Sequence, residues 1–166
     1  MLPQVSLEEG PVVIAFDGSA AARQAVAVAA KLLKPRKALV LTVWEAALAY
    51  AAAAPVPQAT AIPAADPSLG LHIENELRRN AESVSREGAE LARSMGLDAE
   101  PIATVDVRNA ADTIIEFARR HDAATIVVGS PGLSGLRARF EGSTSKEVVK
   151  HASCPVIVVH DAADTD

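Results

Sequence analysis

A chain of 166 residues with a formal charge of −5 has room for one domain with a sizeable core. That charge argues against broad electrostatic attraction to nucleic acid or to an anionic membrane. Apolar residues make up 49% of the chain but aromatic ones only 3%, so the core must be built from Ala, Val, Ile and Leu. Cys154 is the single cysteine, which excludes an internal disulfide. No apolar run reaches the roughly 18 residues of a membrane span, and the acidic start lacks a signal-peptide core. A soluble cytoplasmic protein is expected.

Residues 1–10 read as a loose lead-in. The apolar run 11–16 predicts a first strand, broken by Asp17-Gly18-Ser19. A helix follows over 20–33, with Ala22, Val26, Ala29 and Leu33 near one face, and Lys34-Pro35-Arg36 ends it. Residues 38–44 predict a second strand. The Ala/Pro-rich segment 45–70 carries Pro55, Pro57, Pro63 and Pro67, and prolines this dense predict a long mobile loop.

A charged helix is predicted over 71–95. Leu77, Ala81, Val84, Gly88, Leu91 and Met95 recur at helical spacing as a buried stripe, and Gly96 stands where a C-terminal cap is needed. Residues 99–105 predict a third strand, and Pro101 within it fits an edge position. Asn109 is placed to cap a helix running to about His121, with Asp112 in its first turn. Residues 125–128 predict a fourth strand ending at Gly129. Thr144-Ser145-Lys146-Glu147 has the spacing of a capping box for a helix ending near His151. Residues 155–159 predict the last strand, and 161–166 form an acidic tail.

Strands alternate with helices throughout, which implies right-handed crossovers and one parallel sheet covered on both faces. The expectation is a single α/β domain over 11–160. In such sheets ligands bind beyond the carboxyl ends of the strands, where strand order reverses. Two loops carry suitable chemistry there: Asp17-Gly18-Ser19 and the stretch from Gly129 to Gly142. If the first and fourth strands are neighbours, these loops face each other.

The second loop is the richer one. It reads Val-Val-Gly129-Ser130-Pro131-Gly132, then nine residues, then Gly142-Ser143-Thr144-Ser145. Gly129 and Gly132 are expected to allow positive φ and close backbone approach to a ligand, and Gly142 a sharp entry into the last helix. Ser143, Thr144 and Ser145 can offer hydroxyls and backbone N–H groups to phosphate at a helix N-terminus. Arg137 and Arg139 can add positive charge, and Asp17 can accept from a ribose hydroxyl or take part in metal binding. Taken singly, each of these residues reads as an ordinary turn, cap or solvated charge. Their combination after the fourth strand points to a phosphate site. The P-loop and dinucleotide signatures are absent.

These strings resemble the universal stress protein family. Its nucleotide-binding members carry Gly-x2-Gly-x9-Gly-Ser/Thr, matched here at Gly129, Gly132, Gly142 and Ser143. The start at Val13-Ile-Ala-Phe-Asp17-Gly-Ser and the end at His151-Ala-Ser-Cys-Pro-Val-Ile-Val-Val are similar to the family too. The resemblance spans roughly residues 11–160. It implies an open five-stranded parallel sheet of order 3-2-1-4-5, helices on both faces, of the adenine-nucleotide alpha-hydrolase-like kind. That order agrees with Pro101 at an edge. By the same resemblance, the adenine lies near Asp17 and Val43 with Ala15 lining that side. Ribose and phosphates then follow Gly129, Ser130, Gly132 and Gly135, and Ser143 to Ser145.

The implied ligand is ATP, with ADP or AMP as variants, carrying Mg2+ or Mn2+ on its phosphates. Pro131 departs from the polar or basic residue of many relatives, and Asp106-Val107-Arg108-Asn109 lacks their Gly-x-Pro. Catalysis has little support: His72, His121, His151 and His160 fall in charged helices or at a strand end, outside the phosphate loop. Cys154 reads as a small buried thiol, and clusters of Cys and His spaced to hold a metal are absent. Val156 to Val159 would leave an apolar outer edge, which predicts pairing with a second copy in a two-fold dimer. The expected role is an ATP-binding regulatory module of the stress response acting on a protein partner. A slow ATPase and a pure interaction module without nucleotide are the alternatives.

Overall fold

Five strands, all parallel, form one sheet of order β3-β2-β1-β4-β5. The computed structural model describes residues 10–33, 37–46, 67–106, 108–130 and 143–160. Along the chain the elements are β1 (Val12–Ala15), α1 (Ala20–Leu32), β2 (Lys37–Glu45), α2 (Pro67–Ser94), β3 (Asp98–Asp106), α3 (Ala110–Arg120), β4 (Thr125–Ser130), α4 (Ser143–His151) and β5 (Val156–His160).

The order follows from where the sequence puts its apolar residues. Val12, Val13 and Ile14 are sealed from solvent, as a strand covered on both faces requires. Val12, Ile14, Phe16 and Val40 pack under α1 and α2. Val13, Leu39, Leu41, Ile126 and Val128 pack under α3 and α4. Successive residues point to opposite faces, so one strand feeds both cores. β3 pairs only with β2, with Pro101 opposite Val40, so the proline sits on an edge strand as its missing N–H demands.

Local chemistry sets the helix ends. Ser19 caps α1, its hydroxyl accepting from the Ala22 N–H at 3.1 Å. Asn109 caps α3, accepting from the Asp112 N–H at 2.8 Å. α2 ends in a left-handed turn: Gly96 has φ +94°, the Leu97 N–H reaches the Ala92 carbonyl at 3.0 Å, and the Gly96 N–H reaches that of Arg93 at 3.0 Å. Both bonds occupy carbonyls that the helix end would otherwise orphan.

Several boundaries differ from the sequence reading. Residues 67–70, assigned to the loop, begin α2, because a proline is compatible with a first helical turn, where its missing N–H costs nothing. Met95 is 43% exposed: it lies past the last helical residue, and the buried stripe runs instead through Ala81, Ser85, Gly88, Ala89 and Ala92. Leu33 is only half-buried at the α1 C-cap. α4 starts at Ser143, which puts Thr144 inside the first turn rather than at a cap, and Glu147 pairs with His151 at 3.3 Å one turn on. β2 takes in Glu45, and β4 runs on to Ser130. The lead-in 1–9, residues 47–66 of the Ala/Pro-rich segment and the acidic tail 161–166 lie outside the described residues. Among the described residues no helix is long and apolar enough to cross a membrane.

A Cβ added at Gly96 meets nothing within 4 Å, so the cost of enlarging that residue is purely conformational. Gly96→Ala is expected to destabilise the fold by about 1–2 kcal/mol, the penalty for a side chain in left-handed backbone. Urea unfolding of the two proteins measures it.

Candidate functional site

β1 lies between β2 and β4, so its carboxyl end faces the ends of both neighbours. Ala15 closes β1, half-buried and packed on the core beneath α3 and α4. Val43, half-buried on the same face, lies near the end of β2 in register with Thr104. Between them the chain leaves the sheet. The Phe16 N–H donates to the Leu41 carbonyl at 2.9 Å, and the Phe16 carbonyl accepts from the Thr42 hydroxyl at 2.7 Å. Asp17 then stands exposed, one carboxylate oxygen accepting from the Ser19 N–H at 2.9 Å. Gly18 takes φ +79°, a conformation that side chains resist, and it turns the chain into α1.

On the other side of β1, Gly129 and Ser130 end β4. Gly129 is a strand residue and does not take the left-handed backbone the sequence reading expected; among the described glycines only Gly18 and Gly96 do. Its smallness serves another contact. A Cβ there would stand 2.5 Å from the Ala21 carbonyl carbon and 2.8 Å from the Ala22 nitrogen. The glycine thus lets the first turn of α1 lie against β4, and the close approach is to protein backbone. Ser130 is buried and stands opposite His160 of β5. Ser143, exposed, opens α4; Thr144 is half-buried and Ser145 buried behind it. Because α4 joins two parallel strands, its N-terminus opens at the same carboxyl edge. Gly132, Gly135, Gly142, Pro131, Arg137 and Arg139 lie outside the described residues.

The structure therefore brings Ala15, Asp17, Val43, Gly129 and Ser130 to one edge of three adjacent strands. Two residues there escaped the sequence reading: Thr42 and Phe16, both buried and both assigned only to their strands. Gly88 of α2 makes room for the Phe16 ring, since a Cβ on it would meet that ring at 2.6 Å. Arg23, paired with Glu87, stands over the ring at 5.9 Å from its centroid. A hydroxyl inside the apolar run Leu39 to Val43 was the one available signal.

Most of the remaining reactive groups stand apart from this edge; His160, opposite Ser130 at the end of β5, is the exception. All four histidines are exposed: His121 lies against the Phe117 ring with centroids 4.2 Å apart, and His151 pairs with Glu147. Burial pushes the Cys154 thiol above its ordinary range, which keeps it protonated and poorly nucleophilic. Among the described residues no three His, Cys, Asp or Glu side chains are grouped to hold a metal ion.

A parallel sheet of order β3-β2-β1-β4-β5 covered by helices on both faces defines a doubly wound α/β protein. The chain belongs to the universal stress protein family, whose model matches residues 10–160. A Thermus aquaticus relative described as a universal stress protein in the QAH/OAS sulfhydrylase 3′ region is 30% identical over 148 residues, covering 89% of this chain and 96% of the relative. Two solved structures share the fold. The universal stress protein from Archaeoglobus fulgidus in complex with dAMP is 23% identical, with a TM-score of 0.58 over 91% of this chain and 98% of that one. A universal stress protein family protein from Arabidopsis thaliana with AMP bound is 18% identical, with a TM-score of 0.62 over 94% of each.

Gly129→Ala is expected to cost stability at the upper end of the roughly 1–3 kcal/mol typical of overpacking, because backbone atoms of α1 cannot swing aside as a side chain would. Chemical denaturation checks it; a loss below about 0.5 kcal/mol would show that α1 slides freely on β4.

Proposed function

We propose that this chain binds an adenine nucleotide across the carboxyl ends of β1, β2 and β4, and that it serves as a nucleotide-dependent regulatory module in the stress response. The observation that carries this reading is the adjacency of β1 and β4, which sets the Asp17 turn beside the strand that leads to the glycine loop. The AMP and dAMP complexes of relatives with this fold support the ligand class. The spacing of Gly129, Gly132, Gly142 and Ser143 supports placement of its phosphates.

Each residue has a chemical part in the proposal. Ala15 and Val43 give the base an apolar flank. Asp17, exposed and with one oxygen committed to its own turn, accepts from the nucleoside through the other. Ser143, Thr144 and Ser145 stand at the N-terminal turn of α4, where backbone N–H groups and the helix dipole favour anionic oxygens. The ligand we favour is ATP, whose longer phosphate chain would run toward that turn. Mg2+ or Mn2+ would arrive on the phosphates and keep much of its water, as hard cations with few carboxylate partners do.

Denaturing the purified protein and weighing the released small molecule tests the class. Calorimetric titration with ATP, ADP and AMP in the presence of Mg2+ then ranks the members. Asp17→Ala is expected to weaken binding by about tenfold, the loss of a hydrogen bond to a charged acceptor, with the melting temperature little changed. A wild-type protein that binds no adenine nucleotide overturns the reading.

Assembly is part of the same proposal. β5 is outermost in the sheet order and pairs with β4 alone, with Val156, Ile157 and Val158 only half-buried along it. A second copy pairing along this strand would cover that edge and form a two-fold dimer. Light scattering at micromolar concentration should return twice the 17.2 kDa chain mass; a monomer would contradict it.

A further inference from the structure

We propose that Thr42 is a positioning residue for the nucleotide, acting through Phe16 on Asp17; the inference rests on the nucleotide reading above. Thr42 is not among the residues proposed to touch the ligand. It is 6% exposed, and its hydroxyl donates to the Phe16 carbonyl at 2.7 Å. That carbonyl belongs to the last residue before the chain leaves the sheet. Phe16 itself is 2% exposed, so its carbonyl has little access to water and depends on a protein donor.

Three further contacts fix Phe16. Its N–H donates to the Leu41 carbonyl at 2.9 Å, its ring fills the space left by Gly88, and Arg23 stands over the ring. The next residue is Asp17, whose carboxylate accepts from the Ser19 N–H at 2.9 Å, and Ser19 caps α1. The turn that presents Asp17 is therefore held at both ends, by the α1 cap on one side and by the Thr42–Phe16 bond on the other. Thr42 also precedes Val43, the apolar flank on β2. One hydroxyl thus sets the spacing between the two residues proposed to hold the nucleoside.

A merely structural hydroxyl would lower the melting temperature and leave the affinity of the folded protein alone. A positioning hydroxyl acts through Asp17, so its effect on affinity must disappear when Asp17 is disabled. The test is a double-mutant cycle on AMP affinity with wild type, Thr42→Val, Asp17→Asn and the double variant, each titrated at a temperature where melting curves show it folded. Thr42→Val is expected to weaken AMP binding by roughly tenfold in the wild-type background and by less than about twofold in the Asp17→Asn background. Thr42→Ser, which keeps the hydroxyl, is expected to bind within about twofold of wild type. If Thr42→Val does not fold, Thr42→Ala takes its place in the cycle with the same expectation.

A Thr42→Val affinity equal to wild type overturns the inference, and so do equal losses in both backgrounds. Either result leaves the nucleotide reading standing. A wild-type protein that does not bind AMP, ATP or ADP brings down that reading and the inference with it.

Discussion

The near-contact of two backbones, the first turn of α1 against β4 at Gly129, is the constraint from which the candidate site takes its shape. No side chain stands between them, because Gly129 has none and Ala21 and Ala22 have only methyls. The helix can therefore sit low on the sheet. Its low position draws the Asp17 turn toward the end of β4. A bulkier pair would lift α1 off β4 and carry the Asp17 turn away from that strand. The same economy recurs where Gly88 lets α2 settle onto Phe16 and Val40. Interiors pack at near-crystalline density, so such small residues fix distances as firmly as large ones do.

That packing gives the exposed edge its order. Asp17 is solvent-facing and carries no large side chain to hold it, yet its place follows from Phe16, which is locked by backbone bonds and by two helices. A rigid residue behind a polar one is how a scaffold offers a functional group without burying it. Ser130 and Ser145 show the complementary case: both are small and polar, and both are buried, one at the end of β4 and one in the first turn of α4.

Much of this was legible in the sequence. The alternation of apolar runs with helical periodicity gave the α/β class, and Pro101 alone marked β3 as an edge. Asn109 named its own cap, whereas Ser19, which caps α1, was legible only as part of the turn that breaks β1. The strand order rested on resemblance and is what the sheet shows. The failures have physical causes. Gly129 was read as a turn because glycine after an apolar run usually is one; close packing by a distant helix leaves no local trace. Met95 fits the heptad-like stripe of α2, but the chain stops being helical one residue earlier, so its side chain swings outward. Pro67 looked like loop because proline density is a statement about composition, while helix starts are decided position by position. Thr42 was passed over since a threonine in a strand is common, and only the tertiary fold reveals which carbonyl it meets.

α2 is 28 residues long, far longer than the strands it covers. From its seat at Gly88 to Pro67 it extends about 31 Å, whereas β2 continues past Val40 for only about 17 Å. On these lengths the first turns reach past the end of β2, and the Arg79–Glu76 and Arg78–Glu82 pairs brace the helix surface behind them. The buried stripe from Ala81 to Ala92 clamps the later turns of this rod over a long stretch, so its first turns project as a stiff extension of the core rather than as a separate flap.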